Sequence, residues 1–234
     1  MNMNVKIFAD GAKKDEIFEM DKRSYISGFT TNPTLMKKAG IKDYKAFSLD
    51  ILSEIKSKPI SLEVFSDDFE VMEKQALEIS SWGKNVYVKI PITNTKGVSS
   101  KQLIKKLSEK KVKLNVTAIM TSKQVEEIIP SLKESHGAFI SIFAGRIADS
   151  GIDPLNTMVD SLKLLEQNKN LEMIWASPRE LYNVVQADEI GCHVITATSD
   201  ILNKLSTLGK DLNEFSLETV KMFYQDALEA GYKI

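Results

Sequence analysis

Residues 85–120 read NVYVKIPITNTKGVSSKQLIKKLSEKKVKLNVTAIM and contain two short β-rich runs with an amphipathic stretch between them. The runs span 85–91 and 113–120, and the intervening residues 101–110 place apolar side chains at spacings of three and four. Such an order is typical of two parallel strands joined by a crossover helix. This stretch therefore predicts one β/α unit of a parallel sheet.

The same order recurs along the chain and indicates a single (β/α)₈ TIM barrel of the α/β class. A length of 234 residues suits such a barrel, and no linker or low-complexity tract divides it. After the last strand, the chain holds one helix more than a barrel needs. We predict one domain over 1–234, with a C-terminal helical extension at about 207–234. The other six β-rich runs span 5–10, 25–31, 60–65, 138–144, 171–176 and 192–198.

Charge and composition exclude several kinds of partner. The chain carries 31 Lys and Arg against 32 Asp and Glu, a formal net charge of −1, so nothing favours nucleic acid or an anionic membrane. No apolar run reaches the roughly 18 residues of a membrane span. The single cysteine, Cys192, and the two histidines, His136 and His193, exclude a disulfide framework and leave little material for a metal centre. These features predict a cytoplasmic protein.

Alternation along the strands separates two faces. One face is apolar and is expected to pack against the outer helices; it includes Ile174 and Ala176. The other face carries carboxylates, a lysine, an amide and hydroxyls, whereas a structural barrel interior is normally filled by branched apolar side chains. We therefore predict a polar pocket at the mouth formed by the carboxyl ends of the strands. The predicted lumen set is Phe8, Asp10, Ser61, Glu63, Phe65, Tyr87, Lys89, Asn115, Thr117, Ser141, Phe143, Trp175, Ser177, Thr196 and Thr198.

Two roles are open for Lys89, which lies in the sequence VYVKIP. Burial favours the neutral amine over the ammonium ion and would activate it for Schiff-base formation with a carbonyl group. Equally, Lys89 would serve as a structural ion-pair partner for Asp10 or Glu63. These two carboxylates are in turn candidate proton-transfer groups, or they simply neutralise the lysine.

Further polar residues near the mouth also allow two interpretations. Asn115 and Thr117 suit a substrate site beside the lysine, or they hydrogen-bond each other in the core. Arg146 and Arg179, together with Ser177, form a natural phosphate-binding set, although arginines at loop edges usually form surface salt bridges. Four other residues are assigned packing or surface roles: His136, Cys192, His193 and Trp82.

Five motifs, in the same order, resemble those of the transaldolase family of class I, Schiff-base aldolases. They are GFTTNPT (28–34), VKIPIT (88–93), LNVTAI (114–119), SIFAGRI (141–147) and ASPR (176–179). The resemblance runs from Asp10 to about Thr198. The length is similar to that of the short, barrel-only subfamily, which includes the fructose-6-phosphate aldolases.

The resemblance implies a role for each matching residue. Lys89 would form an imine with a ketose phosphate, and Asp10 would act on the substrate hydroxyl proton during C–C cleavage. Glu63 and Thr117 would position and activate the water for dehydration and imine hydrolysis. The other matching positions would bind substrate: Asn32, Asn115 and Ser141 at the dihydroxyacetone portion, Arg146, Ser177 and Arg179 at the phosphate, and Thr30 and Phe143 elsewhere in the site.

Two positions favour transfer over simple aldol cleavage. Glu63 matches the transaldolase carboxylate, where the fructose-6-phosphate aldolases carry glutamine, and Phe143 matches the transaldolase phenylalanine, where they carry tyrosine. An apolar ring cannot help to hydrolyse the enamine, so the bound three-carbon unit survives to meet an acceptor. The departures from the family pattern concern the choice of substrate: Gly11, Ile142 and Pro178, the last of which removes a backbone donor near the phosphate.

The resulting hypothesis is a transaldolase that acts without a metal ion or an organic cofactor, in the pentose phosphate pathway or in a specialised sugar pathway. It would move a dihydroxyacetone unit from a ketose phosphate such as fructose 6-phosphate to an aldose phosphate such as erythrose 4-phosphate. One alternative is an aldolase that releases dihydroxyacetone, and another is a non-catalytic sugar-phosphate-binding barrel. By resemblance to the short subfamily, a homo-oligomer is also expected, a pentamer or decamer held partly by C-terminal helices.

Overall fold

A computed structural model describes residues 3–233 of the chain. Eight parallel strands form a closed barrel in sequence order, with the first strand also paired to the last. The predicted (β/α)₈ barrel is confirmed, and every strand begins and ends within two residues of its predicted run. The strands are β1 (Lys6–Asp10), β2 (Ile26–Thr30), β3 (Ile60–Glu63), β4 (Val86–Pro91), β5 (Leu114–Ile119), β6 (Ala138–Ile142), β7 (Leu171–Trp175) and β8 (Val194–Thr198).

Helices follow the strands, and several of them begin at residues that satisfy free backbone N–H groups. The helices found within residues 3–233 are α1 (Lys14–Asp21), α2 (Pro33–Lys38), α3 (Tyr44–Glu54), α4 (Phe69–Ser81), α5 (Lys101–Glu109), α6 (Ser122–Ile128), α7 (Ala144–Asp149), α8 (Leu155–Leu165), α9 (Tyr182–Glu189), α10 (Ser199–Leu202) and α11 (Leu212–Glu229). Asn32 caps α2 and is followed by Pro33 at the first helical position. Thr121 and Gln124 form a reciprocal capping box at α6. These caps fix where α2 and α6 begin.

The register between parallel strands determines which side chains share the lumen. Partners such as Glu63 and Lys89, or Lys89 and Asn115, lie side by side and point to the same face of the sheet. The lumen set predicted from alternation is confirmed on β1, β3, β4, β5, β6 and β8. The prediction is wrong for Phe65, which lies beyond the end of β3, is exposed and packs against Tyr44 of α3. The polar members are concentrated at the carboxyl ends of the strands.

The predicted orientation of β7 is wrong. Ser141 pairs with Ile174, and Ile174 pairs with Val194, so Ile174 faces the lumen and Trp175 faces away from it. Ile174 and Ala176 also pack in one buried cluster with the lumen residue Val194. Alternation between apolar and polar residues fails as a guide here because the lumen beside β7 is itself apolar.

Aromatic side chains fill the end of the lumen nearest the amino ends of the strands. The Phe8 ring meets the Phe139 ring edge-on, with 5.5 Å between centroids, and the Tyr87 ring lies 4.4 Å from Phe139. Gly28 leaves room for the Phe8 ring, because a Cβ atom at position 28 would lie 2.6 Å from it. The lumen therefore has an aromatic lower end and a polar upper end.

Two non-glycine residues near the mouth adopt the left-handed backbone conformation, in which φ is positive. Ala118 and Ser177 both have φ of 61°. Ala118 follows Thr117 where the pairing of β5 with β6 shifts register, and Ser177 lies just past the end of β7. This conformation costs on the order of 1–3 kcal/mol for a non-glycine residue and is concentrated at functional sites. Both strained residues border the polar end of the lumen.

The described residues form two compact units, one reaching Leu202 and the other beginning at Asn203. In the second unit, Asp211 caps α11 by accepting two backbone hydrogen bonds, and no side chain of α11 is buried. The predicted extra C-terminal helix is confirmed, while the single-domain boundary stays a prediction. None of the helices in the described part of the chain has the length and apolar character that a membrane crossing requires. The exposed apolar residues of α11 are Leu212, Phe215, Leu217, Val220, Met222, Phe223, Tyr224 and Leu228.

Candidate active site

Lys89 lies at the centre of the polar end of the lumen. Its side chain projects from β4 and is buried, with only 5% of the residue exposed. The Nζ atom donates a hydrogen bond of 2.8 Å to the Thr31 carbonyl oxygen and lies 3.0 Å from Oε2 of Glu63. Glu63 comes from the neighbouring β3, where the strand register places it directly beside Lys89. A buried amine is thus held between a carbonyl oxygen and a carboxylate.

The backbone of Glu63 is held by Tyr44, a residue that lies outside the five motifs. The Tyr44 hydroxyl, at the first position of α3, donates a hydrogen bond of 2.9 Å to the Glu63 carbonyl oxygen. Burial raises the pKa of Tyr44, so the phenol keeps its proton and acts as a donor. The first turn of α3 is therefore tied to the carboxyl end of β3.

Asp10, at the end of β1, is the second carboxylate of the site. Thr30 Oγ1 donates to Asp10 Oδ1 at 2.8 Å, and Asn32 Nδ2 reaches Oδ2 at 3.4 Å. The hydroxyls of Thr30 and Thr196 are 2.6 Å apart. Because Thr30 gives its only hydroxyl hydrogen to Asp10, Thr196 is the donor in that contact. Thr196, present in the predicted lumen set, thereby supports the orientation of Asp10 through Thr30.

Opposing effects set the protonation of Asp10. Burial raises the pKa of the Asp10 carboxyl group, and this effect is the largest. The nearby charge of Lys89 and the hydrogen bond from Thr30 lower the pKa. The net shift is upward. A raised pKa makes the carboxylate a stronger proton acceptor, which suits Asp10 to the acid–base role predicted for it.

A hydrogen-bonded row of buried side chains lines the wall beside Lys89. Ser141 Oγ donates to Asn115 Oδ1 at 2.7 Å, and Asn115 Nδ2 donates to Ser61 Oγ at 3.0 Å. These residues come from β6, β5 and β3, and the register brings them to one face. The alternative in which Asn115 and Thr117 hydrogen-bond each other is wrong, because Asn115 bonds to Ser61 and Ser141 while the Thr117 hydroxyl has no hydrogen-bond partner among residues 3–233. Because the row fixes the Asn115 amide, its orientation is set before any ligand arrives.

Thr117 and Phe143 complete the predicted wall at the mouth. Thr117 is buried on β5, and its hydroxyl has no hydrogen-bond partner among residues 3–233. A buried hydroxyl without a partner costs roughly 1–3 kcal/mol, and such groups occur where a ligand or water completes the site. Phe143 is half-buried, directly precedes α7 and packs against the aromatic cluster of the lumen.

The predicted phosphate-binding residues lie at the ends of β6 and β7. Arg146, in α7, is exposed. Arg179 instead makes a two-pronged ion pair with Asp149 and hydrogen-bonds Ser177 through Nη1. The hydrogen bond from Arg179 lowers the pKa of Asp149. Asp149 is absent from the predicted site, because it lies 30 residues before Arg179 in the sequence.

The residues assigned packing or surface roles lie away from Lys89. Cys192 is buried, and burial raises its pKa to about 12. His193 Nδ1 accepts a hydrogen bond from the backbone of Met173, and His136 is exposed. Within residues 3–233, no group of three or more histidine, cysteine, aspartate or glutamate side chains is placed to bind a metal ion.

A closed eight-stranded parallel barrel with a buried lysine beside two carboxylates at its mouth defines the class of protein: a TIM barrel with a polar site in its lumen. Residues 7–234 match the family Transaldolase/Fructose-6-phosphate aldolase. The chain belongs to this family. The resemblance found in the five motifs is thereby confirmed.

Curated relatives agree with the family. The probable transaldolase of Thermoanaerobacter sp. (strain X514) is 34% identical over 232 residues, which cover 98% of this chain and 100% of that protein. The probable transaldolase of Dehalococcoides mccartyi (strain ATCC BAA-2266 / KCTC 15142 / 195) is 34% identical over 202 residues, covering 86% and 90% of the two chains.

Solved structures support the fold alone. A crystal structure of 2,3-dimethylmalate lyase superposes with a TM-score of 0.55 at 10% identity and covers 99% of this chain and 85% of that chain. The aldolase QR15 superposes with a TM-score of 0.54 at 13% identity, covering 88% and 97% of the two chains. At these identities, the likeness extends to the barrel and carries nothing about the site.

Proposed function

We propose that the chain is a transaldolase that transfers a dihydroxyacetone unit from a ketose phosphate to an aldose phosphate through a Schiff base on Lys89. The observation that carries this proposal is the buried Lys89 amine, 3.0 Å from the Glu63 carboxylate and coupled by charge to Asp10. Membership of the family and the names of the relatives support the same activity. Breaking a buried pair is costly and the pair itself adds little stability, so a structural role alone explains this arrangement poorly.

In this mechanism, the neutral Lys89 amine attacks the C2 carbonyl of the donor, and loss of water leaves an imine. Asp10 takes the proton of the C4 hydroxyl, the C3–C4 bond breaks, and its electron pair forms an enamine as the aldose phosphate leaves. The enamine carbon attacks the aldehyde of the acceptor, and Asp10 returns the proton to the new hydroxyl. Water then hydrolyses the imine and frees the lysine.

Glu63 and Thr117 would act on the water molecule that is released when the imine forms and consumed when the imine is hydrolysed. Glu63 is the carboxylate nearest Lys89 Nζ and can accept its proton directly or through a water molecule. Thr117 has an unpaired buried hydroxyl on the adjacent strand, which suits a hydrogen bond to that water. The two groups would act in dehydration of the carbinolamine and, later, in hydrolysis of the imine.

The dihydroxyacetone portion would be held by groups that are already oriented. Asn115 and Ser141 belong to the hydrogen-bonded row beside Lys89, and Asn32 and Thr30 bond to Asp10. Fixed donors and acceptors reduce the entropy lost on binding and keep the reacting atoms in register. At the mouth, Arg146, Ser177 and Arg179 would serve the substrate phosphate.

Transfer is favoured over release of dihydroxyacetone by the apolar ring of Phe143 at the edge of the site. Phe143 is a half-buried phenyl ring with no acidic hydrogen, so it offers no proton to the enamine. The enamine then persists until an aldehyde acceptor arrives. An assay with fructose 6-phosphate as the only substrate separates the alternatives, because a transaldolase needs an acceptor for turnover and an aldolase does not.

The test of the Schiff base is trapping with borohydride in the presence of fructose 6-phosphate, followed by intact-mass measurement and peptide mapping. We expect a reduced sugar adduct on Lys89 and none in Lys89→Met. Lys6→Met is a matched control, since Lys6 also projects into the lumen and pairs with a carboxylate, Glu172, at 2.8 Å. Absence of an adduct from the native protein with several ketose phosphates would refute the mechanism.

We further propose a cytoplasmic homo-oligomer that works in the pentose phosphate pathway. The exposed apolar face of α11 supports self-association, since a surface helix normally buries one apolar stripe. A pentamer or decamer is the state that the short subfamily suggests.

A further inference from the structure

The amino ends of the strands form a second face of the barrel, opposite the polar end that holds Lys89, and two cavities lie on it. The larger cavity has a volume of about 410 Å³ and the smaller one about 280 Å³. Pro59, which directly precedes β3, and Tyr87, the second residue of β4, line both cavities. The two cavities therefore adjoin, and one ligand can occupy both.

The larger cavity has an aromatic wall and almost no net charge. The rings of Phe8, Tyr87 and Phe139 line it, and the Phe139 ring packs against both of the others. The charged residues that line it, Lys6 and Glu172, form an ion pair of 2.8 Å with each other. Its volume lies within the range of roughly 300–1,000 Å³ of small-molecule sites, which are mostly apolar with a few polar groups. The larger cavity therefore suits an uncharged ring system.

Two hydroxyl groups in the larger cavity are available to a ligand. Within residues 3–233, the hydroxyls of Ser27 and Tyr87 form no hydrogen bond, although both residues are half-buried. Burial raises the pKa of Tyr87, so its hydroxyl keeps its proton. A hydroxyl donates one hydrogen bond and accepts others, so these two groups can bind the hydroxyls and ring nitrogens of a ligand. Because Tyr87 lines both cavities, its hydroxyl would contact the middle of a ligand that spans them.

Three lysines line the smaller cavity, and no carboxylate among residues 3–233 does. Lys56, Lys84 and Lys113 precede β3, β4 and β5 respectively. Lys113 Nζ donates a hydrogen bond of 2.8 Å to the Lys84 carbonyl oxygen, which brings two of these lysines together. In the described part of the chain, none of the three pairs with a carboxylate, whereas other lysines of the same region do. The paired lysines are Lys58, Lys110 and Lys111.

Helix ends account for only part of the need for positive charge on this face. Helices α3, α4 and α5 end there, at Glu54, Ser81 and Glu109, and the C-terminal end of a helix carries about half a negative charge. Lysines near such ends are favourable for that reason. Three half charges are nevertheless smaller than the charge of three unpaired lysines, and Glu54 and Glu109 line neither cavity. An excess of positive charge therefore faces the smaller cavity.

We infer that the amino face of the barrel binds a nucleoside di- or triphosphate, with the base and ribose in the larger cavity and the phosphates among Lys56, Lys84 and Lys113 in the smaller one. A nearly neutral, aromatic-walled cavity that adjoins a basic one matches the division of such a ligand into an uncharged ring part and a polyanion. Inorganic polyphosphate alone would leave the larger cavity unfilled, and an uncharged aromatic ligand would leave the lysines uncompensated. The inference does not depend on the proposed function, because none of these residues belongs to the Lys89 site.

The test is isothermal titration calorimetry of the native protein with ATP, inorganic triphosphate and adenosine, each in the absence of divalent cations. ATP should bind at least about tenfold more tightly than either of the other two, because only ATP fills both cavities. Equal affinity for ATP and inorganic triphosphate, or no binding of ATP, would overturn the inference. Arg146→Gln should leave the affinity for ATP unchanged. If it abolished the binding, ATP would be held at the barrel mouth, and the assignment to the amino face would be wrong.

Variants of the two cavities should have different effects. Lys84→Gln should lower the affinity for both ATP and inorganic triphosphate by roughly three- to tenfold, as expected when one hydrogen bond is lost. Ser27→Leu, which adds bulk to the larger cavity, should lower the affinity for ATP alone. Tyr87→Phe, which removes only a hydroxyl, should have the same effect in milder form and replaces Ser27→Leu if that variant fails to fold.

Lys105→Gln is the matched control for Lys84→Gln. It removes the same charge from an exposed lysine of α5 that lines neither cavity, so it should leave both affinities at their native values. If Lys84→Gln bound ATP as tightly as Lys105→Gln does, the lysines of the smaller cavity would not hold the phosphates. If Ser27→Leu and Tyr87→Phe both kept the native affinity for ATP, the larger cavity would not hold the base and ribose.

Discussion

At the scale of single residues, Asp10 is the group whose environment is most finely balanced. Thr30 donates to its carboxylate and lowers its pKa, against the larger effect of burial. In the proposed mechanism, Asp10 must be deprotonated to take the C4 hydroxyl proton. The acid limb of the pH profile therefore reports the pKa of Asp10.

Thr30→Val should move the acid limb of the pH profile to higher pH. The substitution removes the hydrogen bond that stabilises the carboxylate, so the pKa of Asp10 rises further and donor cleavage begins to fail at a higher pH. The measurement is kcat/KM for fructose 6-phosphate as a function of pH. Thr31→Val is the matched control, since the Thr31 hydroxyl donates to the Ser61 carbonyl and does not touch Asp10. An unchanged limb in Thr30→Val would show that Asp10 does not set it.

Gly28→Ala should destabilise the barrel through a single methyl group. The new Cβ atom would lie 2.6 Å from the Phe8 ring, which is itself packed against Phe139. Overpacking of this kind costs about 1–3 kcal/mol, measured as the free energy of unfolding in urea. Phe8→Leu in the same chain should recover part of the loss, because the smaller side chain vacates that space. Equal stability of Gly28→Ala and the native protein would refute the crowding.

The sequence alone identifies some residues of the site and misses others. Lys89, Asp10 and Glu63 were recognisable because charged groups stand out on strands that are otherwise apolar. The partner of Arg179 was not, since Asp149 lies 30 residues earlier and only the packed mouth brings the two together. The structure shows the salt bridge between Arg179 and Asp149, and phosphate binding by Arg179 stays a prediction.

At the scale of elements, the strands were predictable and one strand face was not. Every strand was located within two residues because β-rich runs alternate with amphipathic segments. On β7, both Ile174 and Trp175 are buried, so hydrophobicity does not distinguish the two faces, and the orientation follows only from register with β6 and β8. The left-handed Ser177 then interrupts the alternation just past the end of β7.

The capping box of α6 makes a testable contribution to the barrel. Thr121 Oγ1 accepts from the backbone N–H of Gln124, and Gln124 Oε1 accepts from the Thr121 N–H. Thr121→Ala should lower the free energy of unfolding by about 1 kcal/mol, while Thr121→Ser should retain most of it because the oxygen remains. Denaturant unfolding of the two variants checks this. A loss of the same size in both would assign the effect to packing of the threonine methyl group.

At the scale of the whole molecule, α11 is the element whose composition its own unit does not explain. It is well formed and capped by Asp211, yet its apolar side chains are exposed. Contiguous exposed apolar surface of this kind usually marks a contact between proteins. The proposed oligomer gives that surface a partner of known composition, a second copy of the chain.

Phe223→Glu should reduce the molar mass of the assembly measured by light scattering. A charge on the apolar face opposes its burial between subunits. Lys221→Glu is the matched control, since it changes the charge at an exposed polar position of the same helix. If the native protein is a monomer, or if Phe223→Glu keeps the native mass, α11 does not hold an oligomer together.

The division of the lumen into an aromatic lower half and a polar upper half has a consequence for laboratory evolution. Phe8, Tyr87 and Phe139 contribute packing at one end, while Lys89 and its partners lie at the other. Thermal tolerance and turnover can therefore be selected on largely separate sets of positions, which meet at Phe143, because that ring packs against the aromatic cluster. Libraries confined to the lower half should yield more heat-resistant variants that keep their native rate.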